Sequence, residues 1–291
     1  SSVAPFVSLL ALSAALLSTP AAADAELAKI RLYAVSASHQ LIAVSAAEPG
    51  RIIRSVTLYG LDANERLLGI DYRVAHGVLY ALGSSGRVFR VDVASGALNA
   101  VGETRFGHAL EGAQFGFDFN PAADRIRIVS ERGQNLRAHP ETGALVDFKP
   151  DIDGFQPDGA LAFRSDDVNV GRGPRVIAAA YTYNTENEKL TTNFAIDGEL
   201  GALLRQGSVE GTEPVVSPNT GALSTVGSLG TGSLSEAHFD ISDVTNTALA
   251  ALSTRAAPVP TLYRIDLGSG RAYAIGPIGT GEPLRGIAIE P

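Results

Sequence analysis

Aspartate recurs at the same position in three short apolar segments of the sequence. The segments read Leu-Gly-Ile-Asp-Tyr, Phe-Gly-Phe-Asp-Phe and Ala-His-Phe-Asp-Ile, and their aspartates are Asp71, Asp118 and Asp240. Two further segments carry Ala162 and Ala288 at that position. Three carboxylates on equivalent strands, together with carbonyl oxygens and water, would suit a hard cation such as Ca²⁺. The alternative is that each carboxylate accepts backbone N–H groups from a neighbouring segment and serves only the fold.

A local cluster of arginines is the second feature with chemical potential. Its members are Arg125, Arg127, Arg132 and Arg137. Arg125 and Arg127 would share one face of a strand, from which guanidinium groups bind carboxylates through paired hydrogen bonds. The cluster therefore predicts an interaction site for a carboxylate-rich partner. Internal pairing with the nearby Asp118, Asp124 and Glu131 is the preferred alternative.

Other catalytic and metal-binding patterns are absent from the sequence. Because there is no cysteine, disulfides, thiolate metal sites and cysteine nucleophiles are excluded. The histidines follow no zinc-binding spacing, and only His238 lies beside one of the three aspartates. Gly-x-Ser-x-Gly does not occur. The sequence therefore favours a non-enzymatic protein with no catalytic residues and no cofactor other than the Ca²⁺ ion considered above.

The composition describes a folded, acidic chain. Its 291 residues are 45% hydrophobic and 19% charged, which is enough apolar material for a sizeable core. The net charge is −8, and lysine is rare among the basic residues. A broad basic face for nucleic acid is therefore excluded.

Short β-strands in a repeated order are the elements that must position the aspartates. Each repeat has four predicted strands, and a glycine stands in the turn before the last one, where a hairpin needs a positive φ. These glycines are Gly96, Gly143, Gly221 and Gly270. The strands are predicted at 68–72, 77–82, 87–92 and 96–102, at 115–119, 125–129, 135–137 and 143–148, at 159–163, 176–181, 191–197 and 221–227, and at 237–241, 247–252, 261–266 and 270–276.

A fifth repeat is divided between the two ends of the chain. Three of its strands are predicted at 32–35, 40–44 and 52–58, and the leading strand at 285–289. Pairing the last strand with the first three closes a ring of sheets, so we predict an all-β fold, a five-bladed β-propeller whose leading strands line a central channel. The long separation of Gly143 and Gly221 leaves two interpretations open, a sixth blade or an elongated fourth blade with a hairpin at Asp197-Gly198.

The amino-terminal segment has the pattern of a targeting sequence. Residues 3–23 carry no charge, and their apolar core ends in Pro20 and three alanines. This pattern predicts a secretory signal cleaved after Ala23, and the alternative is a retained apolar anchor that contacts the membrane. The expected organisation is therefore a signal or anchor at 1–23 and a single propeller domain at 24–291, in a periplasmic or secreted protein.

Four parts of the sequence resemble a secreted bacterial family known as a domain of unknown function, number 4394. They are the runs 68–72 and 115–130, the following Gly-Gln-Asn-Leu-Arg at 133–137, and the closing run 285–289. The resemblance extends from about residue 32 to residue 289, and its most specific part is 115–137. It implies export and β-rich repeats, and it assigns no catalytic residue.

These observations together favour an exported, non-enzymatic propeller that acts as a binding or scaffolding module. Its expected partners are proteins, and one expectation is an extrinsic periplasmic subunit that stabilises a membrane complex, for example an electron-transfer or light-harvesting assembly. Two alternatives stay open. One is a lactonase-like hydrolase or lyase that uses a channel metal ion held by the three aspartates. The other is a secreted module that binds sugar or peptide.

Overall fold

The computed structural model describes residues 20–291 of the chain. The predicted signal or anchor at 1–23 lies outside the described residues, except for its last four positions, which begin helix α1 (Pro20–Leu27). Within the described part, no helix combines the length and the apolar character that crossing a membrane requires.

Twenty short strands of the described chain form five sheets. Blade one contains β1 (Arg31–Ser36), β2 (Gln40–Ser45) and β3 (Glu48–Thr57). Blade two contains β4 (Leu67–Arg73), β5 (Val78–Gly83), β6 (Arg87–Val91) and β7 (Leu98–Ala100). Blade three contains β8 (Phe115–Asn120), β9 (Arg125–Ser130) and β10 (Asn135–Ala138).

Blade four contains β11 (Ala162–Phe163), β12 (Val176–Tyr181), β13 (Asn193–Asp197), β14 (Ala202–Gln206) and β15 (Ala222–Ser228). Blade five contains β16 (Glu236–Ile241), β17 (Ala248–Ser253), β18 (Thr261–Ile265) and β19 (Ala272–Pro277). The last strand, β20 (Leu284–Ile289), completes blade one.

One edge strand of each blade packs against its counterparts in the two neighbouring blades, and together these inner strands form a closed ring. The inner strands are β4, β8, β12, β16 and β20. Because each lies between two neighbours, its side chains are buried on both faces, as in the wholly buried β4 and β12. The fold is therefore the predicted five-bladed β-propeller.

Blade one is closed by both ends of the chain, as predicted. β20 pairs with β1 in antiparallel register, with Leu32 opposite Ile289 and Tyr33 opposite Ala288. Helix α1 precedes this blade, and Leu27 and Ile30 are buried beside apolar side chains of blades one and five. The junction of the two chain ends thus gives blade one an inner strand, as in the other four blades.

Blade four differs from the prediction in the order of its strands. The inner strand is β12 rather than the predicted run 159–163, whose residues form the two-residue β11 at the outer edge, parallel to β15. The Asp197-Gly198 hairpin joins β13 to β14, a strand that the sequence pattern did not predict. The assignment failed because 159–163 and 176–181 are both short apolar runs, and only the second is buried on both faces. The extra length belongs to an elongated fourth blade, so the alternative of a sixth blade is wrong.

Blade three lacks the last strand that was predicted at 143–148. The chain makes only an isolated bridge there, between Ala138 and Leu145. The carboxylate of Asp147 then accepts hydrogen bonds from the backbone N–H groups of Lys149 and Gln156, at 2.8 and 3.3 Å. The chain thus turns directly after this bridge, within 147–156.

The predicted turn glycines have the expected backbone conformation. All four have positive φ angles, 84° at Gly96, 70° at Gly143, 77° at Gly221 and 84° at Gly270. At Gly96 a Cβ atom would also lie 2.2 Å from the carbonyl oxygen of Thr57 in blade one. Glycine at this turn therefore serves both the hairpin and the close approach of two blades.

Candidate functional site

The three predicted aspartates lie on the inner strands of blades two, three and five, and each bonds to the next blade. Asp71 Oδ2 accepts from the backbone N–H of Phe119 at 2.7 Å, and Asp118 Oδ2 accepts from that of Tyr181 at 2.8 Å. Asp240 Oδ2 accepts from the N–H of Ile289 at 2.6 Å. The aspartates therefore hold neighbouring blades at a fixed spacing, which is the structural role that the sequence offered as the alternative.

The same hydrogen bonds correct one equivalence drawn from the sequence. Tyr181 occupies in blade four the place of Phe119 in blade three, so the position that matches Asp118 is Ala180. Ala162, which the sequence analysis had placed there, lies on β11 at the outer edge of the blade. Ala288 on β20 is the alanine of blade one, as expected.

The three carboxylates also converge at the axis. One oxygen from each of Asp71, Asp118 and Asp240 lies within 4.8 Å of the oxygens from the other two, and all three residues are buried. Asp118 Oδ1 is buried and has no hydrogen-bond partner among residues 20–291. Ligands on opposite sides of a Ca²⁺ ion lie about 5 Å apart, twice the usual Ca–O distance. The separation of the carboxylates thus fits a cation of this size.

Burial makes the charged form of the three carboxyls unfavourable. It raises the pKa of Asp71 and Asp118 well above the ordinary range, and the neighbouring carboxylates raise both further. Burial also raises the pKa of Asp240, to about 7. Without a cation the cluster therefore holds protons at neutral pH, and a bound cation would displace them.

Tyr183 lies close to the carboxylates in the loop 182–192, which follows β12. Burial raises the pKa of its hydroxyl strongly, and Asp71, Asp118 and Asp240 add to the effect. Asn246, in the turn between β16 and β17, fixes the tyrosine backbone: its Oδ1 accepts from the Tyr183 N–H at 2.8 Å, and its Nδ2 donates to the Tyr183 carbonyl at 2.7 Å. The tyrosine thus stays protonated beside the cluster.

His238 occupies the axis on the other side of the aspartates. It lies on β16, two residues before Asp240, and its Nε2 is 3.1 Å from the carbonyl oxygen of Leu284. Burial lowers its pKa to about 4, so the imidazole is neutral at pH 7. Two small cavities, of about 10 and 40 Å³, have His238 in their lining. Neither has room for a substrate molecule.

The structure separates the four predicted arginines. Arg127 is buried, and its guanidinium bonds to Tyr181, Asn135, Asn219 and Asp158. Arg137 pairs with the same Asp158 through Nε and Nη2, at 2.7 and 2.8 Å. Arg125 is half-buried, and Arg132 is exposed in the turn between β9 and β10.

Internal pairing holds for Arg127 and Arg137, but the partner is not one that the sequence analysis named. It is Asp158, whose segment lies outside the local cluster. Two further residues of the site were missed. Asp158 and Tyr183 both lie in segments without strand periodicity, and only a contact with another blade gives them a role.

Comparisons with known proteins bear on the family and the fold. The model of a family described as "Domain of unknown function (DUF4394)" matches residues 40–288. A search among curated proteins found no match.

Two solved structures are similar to the chain. One is dihydro-heme d1 dehydrogenase NirN in complex with DHE, at 14% identity over 85% of this chain and 43% of that chain, with a TM-score of 0.37. The other is a structural genomics protein of unknown function from Bacteroides thetaiotaomicron VPI-5482, at 12% identity over 83% of this chain and 56% of that chain, with a TM-score of 0.45. The chain spans about half the length of these two structures.

Proposed function

The chain belongs to the family described as "Domain of unknown function (DUF4394)", and from this premise we propose that it is a non-enzymatic binding module, a propeller whose ring a divalent cation holds together at the axis. The observation that carries the proposal is the convergence of three buried carboxylates, one of which has an oxygen without a partner among the described residues. A buried charge needs a counter-charge or a proton. Ca²⁺ would supply the first, because carboxylate oxygens at these separations are the ligands that it prefers.

Burial favours a structural role for the cation over a catalytic one. Asp71, Asp118 and Asp240 are only 2%, 3% and 5% exposed, and Tyr183 lies beside them. A catalytic metal keeps a coordination position open to substrate, whereas a structural metal is enclosed by its ligands. These features support a binding module over the hydrolase or lyase considered from the sequence.

The face where the inner strands end offers space for a bound molecule. Two cavities of about 420 and 370 Å³ lie there, with Asn120 and Leu190 in the lining of both. Cavities of this size are typical of sites for small molecules or for side chains of a partner. We place the binding surface of the module on this face.

The cation is tested by calcium titration of protein that has been treated with EDTA, at pH 8. We expect one ion to bind per chain and to raise the melting temperature by several degrees, since ligand at a hundred times Kd stabilises a protein by about 2.7 kcal/mol. Asp118→Asn should lose the calcium response and still fold, because the amide can replace the oxygen that accepts from Tyr181.

The matched control is Asp153→Asn, which removes one exposed carboxylate that is not part of the axial cluster and should keep the calcium response. An unchanged melting temperature of the wild-type protein in calcium, with no heat of binding, would contradict the cation proposal.

Export is the second part of the proposal. The uncharged segment 3–23, with small residues before Asp24, supports a periplasmic or secreted protein. We propose protein partners in that compartment, including a membrane complex to which the propeller would bind as an extrinsic subunit.

The mass of the mature chain tests export. We expect protein recovered from the periplasm or the medium to begin at Asp24, as shown by intact mass and amino-terminal sequencing. A chain that keeps residues 1–23 and stays with the membrane fraction would instead support the retained anchor. Recovery of the full segment from the cytosol would contradict export.

A further inference from the structure

A cavity of about 370 Å³ between blades three and four has an unusual charge for this protein. Four basic side chains and one carboxylate line it, although the chain as a whole has a net charge of −8. The basic residues are Arg125, Arg127, Arg137 and Lys189, and the carboxylate is that of Glu210. The cavity is therefore a local site of positive charge on an acidic protein.

Two of the basic groups are held in place from behind the cavity. Asp158 does not line the cavity, but its Oδ2 forms ion pairs with Arg127 Nη1 at 2.6 Å and with Arg137 Nε at 2.7 Å. Asp158 offsets one of these two charges. The Nε of Arg127 also donates to the Tyr181 hydroxyl at 3.1 Å, so the floor of the cavity is fixed by buried contacts. Such a floor is preorganised and loses little entropy when a ligand binds.

The other groups leave donors facing the cavity. The Nη1 of Arg125 donates hydrogen bonds to the carbonyl oxygens of Asp124 and Ala123. Its Nε and Nη2 make no hydrogen bond within residues 20–291. Lys189 is exposed and forms no ion pair in the described part of the chain. These donors have the geometry and charge that bind oxyanions.

The one carboxylate of the lining is already occupied. Glu210 Oε2 accepts from the hydroxyls of Thr182 and Thr192, at 2.7 and 3.1 Å, and its Oε1 accepts from Asn184 Nδ2 at 3.0 Å. Glu210 thus serves to fix the loop 182–192 and does not compete for the free donors. The hydroxyls of Ser217 and Thr212 add neutral polar groups to the same lining.

We propose that this cavity binds a small organic anion through a carboxylate or phosphate group. The volume lies at the lower end of the range for small-molecule sites, which favours a compact metabolite over a polymer. The charge of the lining selects the anion, and Arg125 and Lys189 provide its direct contacts. None of the three axial aspartates lines the cavity, and its one link to them is the backbone N–H of Tyr181, which donates to Asp118.

Calorimetric titration with two probes tests the proposal. Inorganic phosphate and citrate are titrated separately into the full protein, and the tighter of the two identifies the anionic group that the site prefers. We expect saturable binding of at least one probe, weakened by added salt. Arg125→Gln should weaken it about tenfold, because a hydrogen bond to a charged group is lost.

Arg132→Gln is the matched control, since it removes the same charge from an exposed arginine that does not line the cavity. It should leave the affinity unchanged. An equal loss in both variants would show nonspecific attraction to the basic cluster and would overturn the proposal. So would the absence of saturable binding of either probe up to roughly 10 mM, because a built site for an anion would bind more tightly than that.

Discussion

Replacement of Asp158 by asparagine is expected to destabilise the propeller by about 3 to 5 kcal/mol, the usual cost of breaking a buried ion pair by removing one partner. The Asp158 side chain is 0% exposed and that of Arg127 only 1%. Asparagine would leave the guanidinium of Arg127 charged and buried without its ion-pair partner among residues 20–291. It would also remove one of the two oxygens that accept from Nε and Nη2 of Arg137.

Urea unfolding followed by far-ultraviolet circular dichroism measures this change. Glu48→Gln is the control, because it removes an ion pair with Arg51 in which both side chains are more than half exposed. The control should change the free energy of unfolding by less than about 0.5 kcal/mol. A similar small value for Asp158→Asn would mean that Arg127 is stabilised by its neutral partners alone, contrary to our expectation.

The second large effect is a dependence of stability on pH that calcium reverses. In the folded protein the pKa of Asp240 is about 7, and those of Asp71 and Asp118 are raised well above the ordinary range. Between about pH 4 and pH 7 these three carboxyls therefore bind more protons in the folded state than in the unfolded state. Their contribution to the free energy of unfolding decreases as the pH rises, by about 1.4 kcal/mol for each pKa unit of displacement. His238, whose pKa is lowered to about 4, contributes in the opposite direction below about pH 6.5 and offsets part of this change.

A cation inverts this dependence because it binds the deprotonated carboxylates. The groups that act on the cluster are the three aspartates themselves, Asp243 and the hydroxyl of Tyr183. We expect the melting temperature in EDTA to fall from pH 5 to pH 8. The increase in melting temperature that calcium causes should be small at pH 5 and large at pH 8. Asp240→Asn should flatten the EDTA profile. If calcium raised the melting temperature equally at both pH values, this would contradict binding of the cation at these residues.

Local signals in the sequence were sufficient to predict the ring. Glycine at the turn before the last strand needs only its neighbours to be recognised, and Gly96, Gly143, Gly221 and Gly270 all have the expected positive φ. The leading strands of blades two, three and five share a pattern that ends in aspartate, so the convergence of Asp71, Asp118 and Asp240 could also be predicted. The closing run 285–289 has no aspartate, but its apolar pattern was sufficient to predict it as the inner strand of blade one.

Contacts between distant segments could not be predicted in this way. The runs 159–163 and 176–181 have similar local character, and only packing in the ring decides which of them is the inner strand. Asp158 is one of several aspartates in an irregular segment, and its role depends on arginines of blade three. Tyr183 reaches the axis because Asn246, a residue of another blade, holds its backbone.

The pairing of β20 with β1 has a consequence for the order in which the chain folds. The strand that completes blade one follows all the other described strands in the chain, so the ring cannot close before β20 has been synthesised. Until then the carboxylate of Asp240 also lacks the hydrogen bond that the Ile289 N–H donates to it. Contacts of such large sequence separation form slowly, because the loop-closure entropy must be overcome first. The ring therefore closes later than its small blades would suggest, and a chain that lacked β20 would leave the edge of β1 unpaired and open to aggregation.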